Sequence, residues 1–128
     1  MKWSELLPES AGGLVIRPGS KAEVLIAPGT PEHPPFEEVE GRWGKRYRVH
    51  VWLIVNGQID LRTYWFCGKR ALSQILTLAD NMDNIIPPKP IEKHQSVIIT
   101  RIGEGTQTQY VIVPSNRYYK TPTESERR

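Results

Sequence analysis

The chain has 128 residues, 38% hydrophobic and 24% charged, enough for one compact domain with its own core and too few for two ordinary ones. Its longest apolar runs, such as 51–55, fall far short of the roughly 20 residues of a bilayer-crossing helix, so no membrane partner is expected. The single cysteine, Cys67, excludes an internal disulfide, and a net charge of +3 is too small to name a partner by itself.

Residues 1–20 show no sustained period and finish in Arg17-Pro18-Gly19-Ser20, a turn signature, so they are expected to form an N-terminal arm. Glu5 and Pro8 interrupt the stretch that a secretory leader would keep apolar, and no cleavable leader is read there. A first strand is expected over 21–27. It stops at Pro28-Gly29, and three further prolines, Pro31, Pro34 and Pro35, make the following segment a loop because proline cannot donate to a sheet ladder.

A long β-rich run begins near Trp43. Tyr47, Val49, Val51 and Leu53 fall on one parity and Arg46, Arg48, His50 and Trp52 on the other, which predicts a strand with one core face and one basic, aromatic face. After Asn56-Gly57 the alternation resumes over 59–66, and the two runs are expected to form a hairpin. A two-residue Asn-Gly turn would pair Leu53 with Asp60 and Val51 with Arg62, mixing apolar and charged side chains on each face. A three-residue loop over 55–57 with Gly57 in a bulge instead pairs Leu53 with Ile59 and Val51 with Leu61, so this register is expected. The core face then carries Tyr47, Val49, Val51, Leu53, Ile59, Leu61, Thr63 and Trp65; the outer face carries Arg46, Arg48, His50, Trp52, Arg62, Tyr64 and Phe66.

Over 69–82, Leu72, Ile75, Leu76, Ala79 and Met82 recur at helical spacing and predict one amphipathic helix. Residues 83–95, with Pro87, Pro88 and Pro90, read as a loop. Two last strands are expected over 96–102 and 108–114 around Gly103-Glu104-Gly105, and 115–128 as a flexible tail. The domain proper is therefore placed at 21–114.

Charge is distributed unevenly. Residues 41–70 hold seven basic residues and one acidic, whereas 23–40 hold five glutamates and no lysine or arginine. A local basic block points to a polyanion. Its plain counterpart is pairing of Arg46, Arg48 and Arg62 with Glu37, Glu38 and Glu40, and both readings stand at this point. Single-stranded nucleic acid offers phosphates to cations and base faces to flat rings, and the outer face supplies both kinds of group. On that reading Arg46, Arg48 and Arg62 contact phosphates or bases, Trp52, Tyr64 and Phe66 stack, and His50 sits among them. Trp43, Lys45 and Arg101 are secondary candidates, with Lys69 and Arg70 behind them. Trp52 and Phe66 have an alternative as packing residues beneath the proline-rich loop or the arm.

Three separated histidines (His33, His50, His94) and Cys67 have no metal-ligand spacing, no nucleophile motif occurs, and Gly103-Glu104-Gly105 reads as a turn. No metal, cofactor or enzymatic activity is expected.

The order of three strands, one helix and two strands predicts an all-β class with one helix: a five-stranded OB-fold Greek-key barrel with the helix between strands 3 and 4. In that order, GKRYRVHVWLIVNGQIDLRTYWF, the helix and SVIITRIGEGTQTQYVIV together resemble small OB-fold single-stranded DNA-binding proteins of phages and archaea. The resemblance covers roughly 41–113 and rests on Gly44-Lys45-Arg46-Tyr47, Val55-Asn56-Gly57 and 99–105 with Thr108 and Tyr110. It implies a non-catalytic, largely sequence-independent single-stranded DNA-binding protein. Single-stranded RNA is a further expected ligand because base stacking does not sense the 2′-hydroxyl, a homodimer stays open, and with no leader or membrane span read the expected location is the cytoplasm, that of a host cell for a viral source. Many relatives of that kind end in an acidic recruiting tip, whereas this chain ends Glu124-Ser125-Glu126-Arg127-Arg128. The alternative from another class is an OB-like module that uses the same aromatics to hold a protein partner.

Overall fold

A computed structural model describes residues 13–41 and 44–122. It is mostly β with one helix: β1 (Lys21–Ile26), β2 (Phe36–Gly41), β3 (Gly44–Val55), β4 (Gln58–Cys67), α1 (Lys69–Asn81), β5 (His94–Ile102) and β6 (Gln109–Tyr119). The six strands form one antiparallel sheet, ordered β2-β3-β1-β5-β6 with β4 on the other edge of β3. β3 organises it. One of its edges is shared, residues 44–49 going to β2 and 51–54 to β1, while the opposite edge zips to β4 along its length. The sheet is not closed: β4 and β6 exchange no ladder hydrogen bonds, and edge-to-face contact of Trp65 with Tyr110, 5.0 Å between centroids, joins them instead.

The main core follows from parity. Val24 and Ile26 of β1, Val49 and Val51 of β3, Trp65 and Cys67 of β4, and Val97 and Ile99 of β5 meet the buried side of α1, which contributes Ala71, Leu72 and Ile75. Because β1 is central, its other parity is buried too. Leu25 and Ala27 form a second, smaller cluster with Trp52 and Ile54 on the opposite face, and Ile59 and Tyr119 pack against it. Four consecutive buried residues, Val24, Leu25, Ile26 and Ala27, are the signature of a strand covered on both sides.

Several expectations are corrected here. There are six strands, not five, because Phe36-Glu37-Glu38-Val39-Glu40-Gly41 pairs with β3 as β2. Glu37 stands opposite Arg48 and Glu40 opposite Lys45, so cross-strand charge pairing supports a strand that hydropathy does not announce. The β3–β4 turn is the two-residue Asn-Gly form. Asn56 (φ 52°) and Gly57 (φ 76°) are both left-handed, as a type I′ turn demands, and Val55 pairs with Gln58. The mixing of faces that argues against this turn is relieved by a bulge: between the Ile54–Ile59 and Trp52–Arg62 pairs, β3 advances two residues and β4 three. Beyond the bulge Val51 pairs with Thr63 and Val49 with Trp65, restoring the expected parity, but Leu61 turns outward at 47% exposure and Ile59 joins the second cluster rather than the core.

Both ends of the described chain are also more ordered than expected. Leu14 and Ile16 of the supposed arm pack on the main core; the Leu14 amide donates to Tyr64 O (2.8 Å), and the Gly19 amide to Arg101 O (3.0 Å). Residues 1–12 of the arm lie outside the described residues. The expected tail is strand through Tyr119, and Thr121 beyond it is buried. A bulge lets β6 continue past Pro114, and a polar cluster fills it. Ser96 donates to Glu23 Oε2 (2.6 Å) and, its one hydrogen spent, accepts from Ser115; Tyr119 (3.0 Å) and Arg117 (3.0 Å) donate to the same carboxylate. Residues 123–128 of the tail lie outside the described residues.

Candidate nucleic-acid interface

Along the outer face of the β3–β4 ladder, Arg48 stands opposite Phe66, His50 opposite Tyr64 and Trp52 opposite Arg62. Each of these cross-strand pairs therefore sets a basic side chain against a ring. Tyr64 and Phe66 meet edge to face at 5.3 Å, the Arg48 guanidinium lies 5.5 Å from the Tyr64 centroid, and the Arg62 guanidinium lies 4.5 Å from that of Trp52. Arg48, His50, Arg62, Tyr64 and Phe66 are half-buried, and Arg46 and Lys45 are exposed at the start of β3. Gly13 runs against Tyr64 so closely that a Cβ there would lie 3.0 Å from the ring and 2.9 Å from its carbonyl oxygen, so the lead-in covers one side of that ring.

Trp52 does not serve as an open stacking surface. It is 4% exposed, held beside Leu25, Ala27 and Ile54 with Tyr119 against the cluster, and its visible neighbour is the Arg62 guanidinium. Among the described residues its cover is the second apolar cluster, which includes no residue of the proline-rich loop.

A carboxylate also sits on this face. Arg48 Nε donates to Glu37 Oε1 (2.6 Å) and His50 Nε2 donates to the same oxygen (3.1 Å), so one acceptor serves two candidate cations. The Arg48 hydrogen bond holds the Glu37 carboxyl below its ordinary range against the opposing effect of burial, and the His50 contact helps. Lys45 reaches Glu38 at 3.6 Å in a mostly exposed pair. Of the pairings named by the plain reading of the charge pattern, Arg48 with Glu37 is present, and Lys45, which that reading does not include, pairs with Glu38.

Arg101 lies elsewhere, half-buried where β5 ends, donating through Nη1 to Ile16 O (2.9 Å) and through Nη2 to Thr108 Oγ1 (3.4 Å). Trp43 lies outside the described residues. Cys67 is wholly buried and burial pushes its thiol up to about 12, so it is a packed apolar group rather than a nucleophile at neutral pH. Among the described residues no three His, Cys, Asp or Glu side chains are grouped as metal ligands, and no helix is long and apolar enough to cross a membrane. Compared with protein-family models, curated proteins and solved structures, the chain finds no match in any of the three.

Proposed function

We propose that this chain is an OB-type domain that binds single-stranded DNA with little base preference across the outer face of β3 and β4. The strand neighbours support the architecture: with β2 set aside, β1 lies between β3 and β5, two hairpins (β3–β4 and β5–β6) flank that unit, and the helix follows the first hairpin. This is the order of a Greek-key barrel left open between β4 and β6. The observation that carries the function is the pair of adjoining, partly exposed rings, Tyr64 and Phe66, set beside Arg48 on one rigid ladder. Rings give stacking that every base can satisfy, and guanidinium groups follow phosphates or lie flat on bases.

Fluorescence anisotropy with a labelled oligonucleotide, at two salt concentrations and with matched duplex and RNA competitors, tests the proposal. Affinity is expected to fall with salt, and duplex to compete poorly, because its bases are already stacked. Phe66→Ala should weaken binding about tenfold, the lower part of the ~1–3 kcal/mol expected per stacked base. Equal competition by duplex, or no binding, overturns the proposal. Equal competition by RNA would widen the ligand class to single strands of both kinds.

A further inference from the structure

Where β4 hands over to α1, a cleft of about 620 Å³ opens between the first turn of the helix and the β5–β6 loop. Four cations line it, Arg46, Lys69, Arg70 and Arg101, and no carboxylate does. Among the described residues none of the four forms an ion pair. Four positive charges around one concavity repel each other and raise the local concentration of anions. One of the four is held in place by the fold, while Arg46, Lys69 and Arg70 are exposed. The Arg101 guanidinium is held by Ile16 O and Thr108 Oγ1, and its buried Nε has no hydrogen-bond partner. The far wall is braced by Gln74, whose amide donates to Tyr110 O (2.7 Å) and accepts from the Ile112 amide (2.9 Å). Gly68 caps α1 without a side-chain acceptor and no acid stands in its first turn, so the helix end adds positive potential on the same side.

We infer that this cleft is a phosphate-binding subsite and that it receives a phosphate of the strand carried on the β3–β4 face, an inference that rests on the function proposed above. Arg46 links the two regions. It lines the cleft, it shares the outer parity of β3 with Arg48, and it stands about 7 Å along the strand from that residue. The cleft has the volume of a small-molecule pocket, enough for a phosphate with its sugar, which distinguishes it from the flat ladder surface. The strand would therefore run past Phe66 and Arg48 and turn in at Arg46.

Two measurements on the full chain test this. In the first, inorganic pyrophosphate is titrated into isotope-labelled protein and backbone amide shifts are followed by NMR. Saturable shifts at 68–71 and 105–110, without equivalent shifts at 58–66, are expected; their absence refutes the subsite. In the second, the salt dependence of oligonucleotide binding is compared between the parent and the double variant Lys69→Gln/Arg70→Gln, both surface positions, with thermal unfolding confirming that the variant folds. The log–log salt slope should become shallower by about 0.7, the increment for the one single-strand phosphate that is no longer neutralised. An unchanged slope with intact strand binding refutes the inference and leaves the β3–β4 reading standing. Pyrophosphate shifts in a protein that binds no strand would support the anion site and refute that reading. Oligonucleotides ending in 5′-phosphate, 3′-phosphate or hydroxyl separate the sources: preference for a phosphorylated end assigns a terminal group, and equal affinity a backbone diester.

Discussion

Replacing Glu37 by glutamine separates the two meanings of the basic ladder. In the protein, Glu37 Oε1 accepts hydrogen bonds from Arg48 at 2.6 Å and from His50 at 3.1 Å, with side-chain exposures of 46% for Glu37, 26% for Arg48 and 36% for His50. An ion pair this accessible is worth about 0.5–1 kcal/mol, because water screens it and two long side chains must be held still. A phosphate that engages Arg48 has to displace that carboxylate or share the guanidinium with it. Glu37→Gln keeps an acceptor of the same shape and removes the charge, so single-strand affinity should rise about two- to fivefold, and the salt slope should steepen by up to ~0.7 as one more phosphate is neutralised. Folding stability should fall by the same 0.5–1 kcal/mol at pH 7. The sign of the pH effect follows from the depressed carboxyl. Its contribution to stability is complete above the unfolded value of 4.5 and is lost as pH falls through the lower folded value, so parent and variant should converge in acid. Anisotropy titrations and urea unfolding at pH 7 and pH 3 measure both quantities. If Glu37→Gln binds no more tightly than the parent, with the same salt slope, Arg48 is not on the path of the strand and the interface is misplaced.

Trp52 and His94 give two further tests. Trp52→Ala should cost about 3–5 kcal/mol of stability, since it removes a large side chain from a filled cluster, and under conditions where the variant is folded it should weaken binding less than Phe66→Ala does; an unchanged urea midpoint with binding abolished would make the indole a contact residue after all. The wholly buried His94 imidazole donates from Nε2 to Ile85 O (3.2 Å) and accepts at Nδ1 from Thr121, and burial lowers its pKa from 6.5 to about 4. The unfolded chain therefore binds the extra proton first, and stability should drop as pH falls below 6.5, by about 2 kcal/mol at pH 5 and ~3 kcal/mol once below 4. His94→Gln cannot take that proton, so its stability should be flatter between pH 7 and 5 than the parent's; identical slopes for the two proteins would show that the histidine is not the source.

Much of the ladder is legible in residues 44–67 alone, because a half-buried strand prints its faces as a two-residue alternation. Arg46, Arg48, His50, Tyr64 and Phe66 do share a face for that reason. The bulge at Asp60 and Leu61 cannot be seen this way, since one extra residue in one strand leaves each run internally periodic while shifting their mutual register. Trp52 escapes the alternation for a different cause. Its parity is as expected, but outward in a single hairpin is not the same as open, and its cover comes from β1 and from Tyr119, 67 positions further along the chain. β2 is hidden by its glutamates, whose opposite charges in β3 read as competitors for a ligand as readily as they read as a strand pairing. The cleft at Arg46, Lys69, Arg70 and Arg101 is invisible because Arg101 arrives from β5 at the far end of the fold, and nothing in local spacing announces it.

The bracing of β3 on both flanks has a kinetic and entropic corollary. Twelve residues clamped by three separate neighbours leave little freedom to be frozen out, so a ligand laid across this ladder meets a surface already in its final shape. The ordering cost then falls on the ligand, and flexible chains without secondary structure of their own, which adapt at small expense, are favoured over stiff ones.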